Sequence, residues 1–172
     1  MVWYSQRITR TLGMERFAAY VAGFDYGNRD LSGTPGKDDG LTRAWLSTSL
    51  EITPAEQAAF LARLLRRQLP VSPRAFALAE TLTRIENGPS GWDLHGKTGT
   101  AAPAKADGAG RDWDRAYGWF VGWLRREDRT LVFVRLVQDG GQDGGQQAGS
   151  AGYRARDALL AQLPGLLNRR RP

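Results

Sequence analysis

The sequence predicts an α+β fold: a helical region, then an antiparallel sheet flanked by helices. Three observations carry this. Apolar residues recur at three- and four-residue spacing through the first half, they alternate residue by residue in segments of the second half, and the order runs helices, strands, helix instead of strand and helix in turn. At 172 residues, 41% hydrophobic and 24% charged, the chain suits one globular domain or part of one.

Each element follows from local signals. Trp3, Ile8 and Leu12 predict a helix that breaks at Gly13, and Met14, Phe17, Val21 and Phe24 predict a second. Residues 26–41, rich in Gly, Asp and Ser, read as a long ordered loop, and loops of that length in a compact domain are usually functional or disordered. Thr53-Pro54-Ala55-Glu56 is a helix start: Thr caps, Pro occupies the first turn, Glu closes a capping box. Phe60, Leu61, Leu64 and Leu65 form the buried face of that helix. Ser72-Pro73 opens another, carrying Phe76, Leu82 and Ile85 and ending near Asn87-Gly88-Pro89. Alternation then takes over. Trp92 to Gly99 reads as a strand; Ala116 to Leu124 is clearer, with Tyr117, Trp119, Val121 and Trp123 on one face and Gly118, Phe120, Gly122 and Leu124 on the other. The Trp119 and Trp123 stripe is expected to pack as core against helices. Arg126 to Arg129 turns into a partner strand, Leu131 to Val137, giving three strands whose edges need cover. Residues 139–149 read as a Gly-, Gln- and Asp-rich loop, and Tyr153 to Leu167 as a last helix, interrupted or ended at Pro164-Gly165. The helical part is expected over 1–90, and the sheet with its C-terminal helix over 91–172.

Composition excludes several chemistries. The absence of Cys removes thiol catalysis, disulfides and cysteine metal sites, and a single histidine, His95, removes a multi-histidine metal site within one chain. The formal charge of +6 suits an anionic ligand, but its local sources, such as Arg66-Arg67, Arg125-Arg126 and Arg169-Arg170-Arg171, read as solvated surface. No nucleic-acid-binding module accompanies them, so no nucleic-acid partner is expected. An apolar run long enough to cross a membrane is absent, and Met1 to Arg7 lacks the pattern of a signal peptide. Oligomeric state is not legible.

Gly91-Trp92-Asp93-Leu94-His95-Gly96-Lys97-Thr98 matches the P-loop pattern letter for letter, which would make the chain a nucleotide binder. Its context opposes this. A P-loop needs a strand before the first Gly and a helix beginning at Lys-Thr, whereas here a helix and a turn precede Gly91, and Gly99 and Pro103 follow. The same residues have a second reading. Lys97-Thr98-Gly99 at the end of a strand resembles the third signature of penicillin-recognising serine enzymes. Lys97 offers a cation to a substrate carboxylate, the Thr98 hydroxyl can bond the same group, and Gly99 with Thr100 lets a ligand lie against the backbone as an added strand would.

Four ordered segments extend this. Phe24-Asp25-Tyr26-Gly27-Asn28 resembles the [Phe/Tyr]-Gly-Asn signature of class D β-lactamases, the oxacillinases. Trp45-Leu46, followed by Ser49-Leu50-Glu51-Ile52-Thr53, resembles their Trp-Leu and Ser-Leu-x-Ile-[Ser/Thr] segment. The Lys97-Thr98-Gly99 strand and Gly118-Trp119-Phe120-Val121-Gly122-Trp123 resemble the family's paired strands. The resemblance implies a β-lactamase and transpeptidase-like fold, serine hydrolysis of penicillins, no metal and no organic cofactor, and a periplasmic site of action linked to antibiotic resistance. It implies that Trp45 and Leu46 serve a carbamylated lysine, that Lys97 and Thr98 bind the β-lactam carboxylate and serve proton transfer, and that Tyr26, Gly27 and Asn28 shape the loop. His95, although on the same strand face as Lys97, is expected to be a strand or surface residue; Arg154 or Arg156 is a weaker candidate for a second cation.

The family's nucleophile lies in Ser-x-x-Lys, and no Lys here has Ser three residues before it: those positions are Thr34, Leu94 and Ala102. The chain is therefore expected to be the C-terminal part of such an enzyme, without the nucleophile helix and N-terminal strands, inactive and poorly folded alone. Two other functions stay open: a penicillin-binding sensor that acylates without turnover, and a non-enzymatic remnant.

Overall fold

The computed structural model describes residues 2–86, 88–89, 91–140 and 149–168. These form two compact units, Met1–Val71 and Ser72–Pro172. The second begins earlier than the change to alternating sequence at residue 91, because the helix from Pro73 leads directly into a strand of the sheet.

In the first unit α1 (Val2–Leu12) and α2 (Met14–Gly23) are separated by Gly13, whose φ of 76° breaks the helical path where the sequence predicts it. A single helical turn, α3 (Gly40–Arg43), begins at the end of the long segment read as loop. The next helix, α4 (Pro54–Leu65), starts as predicted. The Thr53 hydroxyl accepts from the Glu56 amide, and the Glu56 carboxylate accepts from the Thr53 amide. Phe60 on α4 collects the aromatics of the α2 exit: its ring centroid lies 5.8 Å from that of Phe24 and 5.1 Å from that of Tyr26.

The second unit contains α5 (Pro73–Thr83), β1 (Arg84–Ile85), β2 (Asp93–Ala101), β3 (Tyr117–Arg126), β4 (Arg129–Gln138) and α6 (Ala151–Asn168). Among the described residues the sheet is antiparallel throughout, in the order β1-β2-β3-β4. Helix α6 covers one face: Ala155, Leu159 and Leu163, four residues apart, pack on Leu94, Phe120 and Leu124. Full burial of the leucine and phenylalanine side chains among them is worth roughly 1.5–3 kcal/mol each.

Three expectations are corrected here. Helix α5 stops at Thr83: Arg84 is extended, with φ −62° and ψ 135°, and Arg84 and Ile85 pair with His95 and Leu94 to make a fourth strand. Ile85 thus reaches the core from a strand, since sheet pairing outweighs one more helical turn there. Pro164 does not end α6, which runs on to Asn168. Leu163 and Leu167 continue the face on the core, and their burial offsets the hydrogen bond that proline removes. The third is corrected only in part: Trp123, 2% exposed, is core as expected but on the face opposite α6, Trp119 is only half-buried, and the face of β3 under α6 carries Phe120 and Leu124. Asn87, the centre of the 139–149 loop and the Arg169–Arg171 tail lie outside the described residues.

Candidate active site

Lys97, Thr98, Gly99 and Thr100 occupy the middle and end of β2. On one side they pair with β3, Lys97 opposite Val121 and Gly99 opposite Trp119. On the other side β1 reaches only Leu94 and His95, so among the described residues the edge of β2 is open from Gly96 onward. Strand alternation sends Lys97 and Gly99 to one face, Thr98 and Thr100 to the face carrying α6. Lys97 is exposed, and its ammonium donates to the Thr98 carbonyl. No carboxylate pairs with it among the described residues.

The start of α6 closes against this strand. Thr100 Oγ1 accepts from the Gly152 amide at 2.8 Å and lies 2.6 Å from Ser150 Oγ. The strand hydroxyl thereby satisfies one of the amide donors that a helix start leaves without an intrahelical partner. Gly118, opposite Thr100, has no room for a side chain: a Cβ there would stand 2.0 Å from the Ala151 carbonyl carbon. Gly99 differs. A Cβ there would meet nothing within 4 Å, and its φ lies outside the left-handed region. Among the described residues neither backbone strain nor packing calls for glycine at position 99, which leaves room above the strand.

Arg154 is held by the buried Asp139 carboxylate and by the Gly149 carbonyl at 2.6 Å, while Arg156 bonds Asp157 and lies over the Tyr153 ring. Sequence reasoning had no signal for Asp139 as the partner of Arg154, since the intervening loop is long. It also missed Ser150 and the Gly152 amide. Gly118 and Gly122 alternating on one strand face were a usable sign of close approach.

The remaining candidates lie in the first unit. Gly27 has φ 55°, and a Cβ on it would collide with the Glu51 carbonyl, so the two arms of the loop meet there. Asn28 ties them: its Nδ2 donates to the Ser49 carbonyl at 2.8 Å, and its Oδ1 accepts from the Asp30 and Glu51 amides at 3.1 and 3.0 Å. The Tyr26 hydroxyl donates to Gln57 Oε1 at 2.9 Å, and burial raises its pKa. Trp45 meets Phe17 edge to face at 5.7 Å, following Ala44, which is fully buried, and Leu46 is half-buried beside it. The structure thus brings Tyr26, Gly27 and Asn28 together as one loop scaffold.

The P-loop reading finds no support in this geometry. Lys97 and Thr98, where a phosphate-binding helix would begin, are in mid-strand.

The chain matches the family described as Penicillin binding protein transpeptidase domain over residues 1–159. Beta-lactamase OXA-9 of Klebsiella pneumoniae is 41% identical over 97% of this chain and 59% of its own length. Probable beta-lactamase YbxI of Bacillus subtilis is 35% identical over 81% of this chain and 46% of its own length. The crystal structure of OXA-427 class D beta-lactamase superposes with a TM-score of 0.85 at 48% identity, covering 96% of this chain and 66% of the other. The C-terminal domain of the Bacillus licheniformis BlaR penicillin-receptor superposes with a TM-score of 0.77 at 25% identity, covering 96% of this chain and 58% of the other. The chain thus spans about three-fifths of the length of the first curated relatives it matches, at 59%.

Proposed function

This chain belongs to the penicillin-binding protein transpeptidase family, with class D β-lactamases as its relatives, and from that premise we propose that it forms the Lys-Thr-Gly wall of a serine β-lactam hydrolase. The observation that carries the reading is the open edge of β2, with an exposed Lys97 and, two residues on, a Gly99 that neither strain nor packing demands. A ligand lying along that edge meets backbone groups that no neighbouring strand of the described residues occupies, and a cation for its carboxylate, which would compete with the Thr98 carbonyl for the Lys97 ammonium. Thr98 flanks the same edge from the other face and supplies a hydroxyl to that carboxylate. Thr100 acts by holding the edge to α6. In this reading Trp45 and Leu46 serve the activating lysine, and Tyr26, Gly27 and Asn28 keep their loop in shape. The nucleophile, absent from these 172 residues, is a Ser-x-x-Lys supplied elsewhere in the protein. A periplasmic place of action and a part in antibiotic resistance belong to the same proposal.

The test is hydrolysis of a chromogenic cephalosporin by the complete protein, with its Ser-x-x-Lys, with and without Lys97→Ala. Loss of a cation facing a largely desolvated carboxylate should cost roughly 2–5 kcal/mol in kcat/KM. Unchanged kcat/KM refutes the role of Lys97. The likeness to a penicillin-receptor domain supports a second reading, a sensor that is acylated and holds the acyl group. Mass spectrometry after a short pulse of penicillin separates the two: an acyl adduct that persists for hours marks a sensor, one that vanishes with product release marks a hydrolase.

A further inference from the structure

The chain has one histidine, and the proposed chemistry leaves it without a task. His95 is 9% exposed, so it is buried and not the surface residue that the sequence allows. Its ring lies flat on Trp123, with centroids 4.7 Å apart and an interplanar angle of 8°. Its Nδ1 is 3.0 Å from the Glu80 carbonyl and 3.5 Å from Thr83 Oγ1, both in the last turns of α5. A carbonyl oxygen only accepts, so Nδ1 carries a hydrogen and donates it. The Glu80 side chain meanwhile reaches Arg125 on β3 at 3.4 Å. One residue of α5 therefore holds both β2, through His95, and β3, through Arg125.

The place of His95 in the sheet gives this weight. Among the described residues it is the last of β2 with strand neighbours on both sides, Arg84 on one and Trp123 on the other. Among the described residues the strand is supported on one side only from Gly96, and a strand so supported opens more readily. Gly96 has no side chain to anchor it. Lys97 comes next, on the same face as His95. An apolar ring would fill the space over Trp123 as well; only a donor ties the ring to α5.

We propose that His95 is a positioning residue for Lys97. It clamps β2 to α5 and to Trp123 where the open edge begins, and so sets where the Lys97 ammonium stands when an anionic ligand binds. This rests on the reading of Lys97 above and involves no contact between His95 and ligand.

The experiment uses the complete protein with two variants. His95→Phe keeps a flat ring over Trp123 and loses the donor; His95→Asn keeps an amide N–H where Nδ1 was and loses the ring. With a chromogenic cephalosporin, His95→Phe should lower kcat/KM roughly tenfold, and the same change made on Lys97→Ala should have almost no further effect, because the two residues act as one unit. His95→Asn should recover most of the loss, and it also serves if His95→Phe fails to fold. Hydrogen exchange provides a readout that needs no activity: in His95→Phe the amides of residues 96–99 bonded to β3 should exchange roughly tenfold faster while those of α6 are unchanged. Effects of His95→Phe and Lys97→Ala that simply multiply overturn the proposal, as does unchanged exchange at 96–99. Absence of both turnover and acylation in the unaltered protein overturns the reading of Lys97 and the positioning role with it; the exchange result distinguishes that case, since it still reports whether the clamp exists.

Discussion

Gly118→Ala asks how much the contact between α6 and the sheet contributes. The added methyl would stand 2.0 Å from the Ala151 carbonyl carbon, 2.2 Å from its oxygen and 2.3 Å from the Gly152 nitrogen. Non-bonded carbons settle at about 3.5–4.0 Å, so the helix start and the strand must separate by about 1.5 Å. All three obstacles are backbone, and no rotamer change relieves them. A shift of about 1.5 Å stretches the bond between Gly152 N and Thr100 Oγ1, now 2.8 Å, beyond hydrogen-bond range. Overpacking typically costs about 1–3 kcal/mol and a lost hydrogen bond about 0.5–1.5 kcal/mol, so the total should be about 1.5–4.5 kcal/mol. Urea denaturation of the purified protein, parent against variant, measures it. Gly165→Ala is the control in the same helix: its Cβ meets nothing within 4 Å, and removing a helical glycine should stabilise by about 0.5–1 kcal/mol. A Gly118→Ala protein as stable as the parent would show that α6 does not seat on β3 as described, and the account of Thr100 would fall with it.

Other consequences are local. Thr53→Ala removes the cap of α4 and should cost about 0.5–2 kcal/mol, with Thr53→Ser recovering most of it in the same denaturation series; equal stability of all three proteins would contradict the capping box. The Asp39 carboxyl is held below its ordinary value of 3.8, chiefly by the hydrogen bond from the Thr34 amide, with Arg43 and Lys37 adding attraction. A depressed folded pKa contributes stability that is present above the unfolded pKa and lost as pH falls through the folded one. Thermal melts taken from about pH 5 down to about pH 2 should therefore show a weaker acid dependence in Asp39→Asn than in the parent, and identical slopes would remove Asp39 from the account.

Much of the local architecture was legible because its causes are local. Thr53-Pro54 and Ser72-Pro73 carry their caps within a single turn, and both helices start where those residues stand. The hairpin of β3 and β4 was readable from alternation and from a two-residue turn, Glu127 and Asp128, between paired Arg126 and Arg129. At Asn28 only the bond from the Asp30 amide is local; those to Ser49 and Glu51 join chain segments 21 and 23 residues apart and were not legible. Failures came where partners are distant in sequence. Ile85 carried helical spacing, but Leu94 pairs with it as strand. Pro164 carried a stop signal, but Leu163 and Leu167 find a core made by β2 and β3.

By itself the sequence determined the order of the longer elements, most helix starts, the strand that bears Lys97-Thr98-Gly99, and the absence of thiol chemistry. These depend on residue type and on neighbours a few positions away. Only the tertiary structure decided which glycines are there for packing and which leaves room: Gly118 faces the backbone of α6, while Gly99 faces open space. It alone decided that Thr100 is tied to a helix start, that Arg154 meets Asp139, and that His95 is buried between Trp123 and Glu80. Each of these depends on contacts between segments far apart in the chain, and those contacts come into being only when sheet and helix pack.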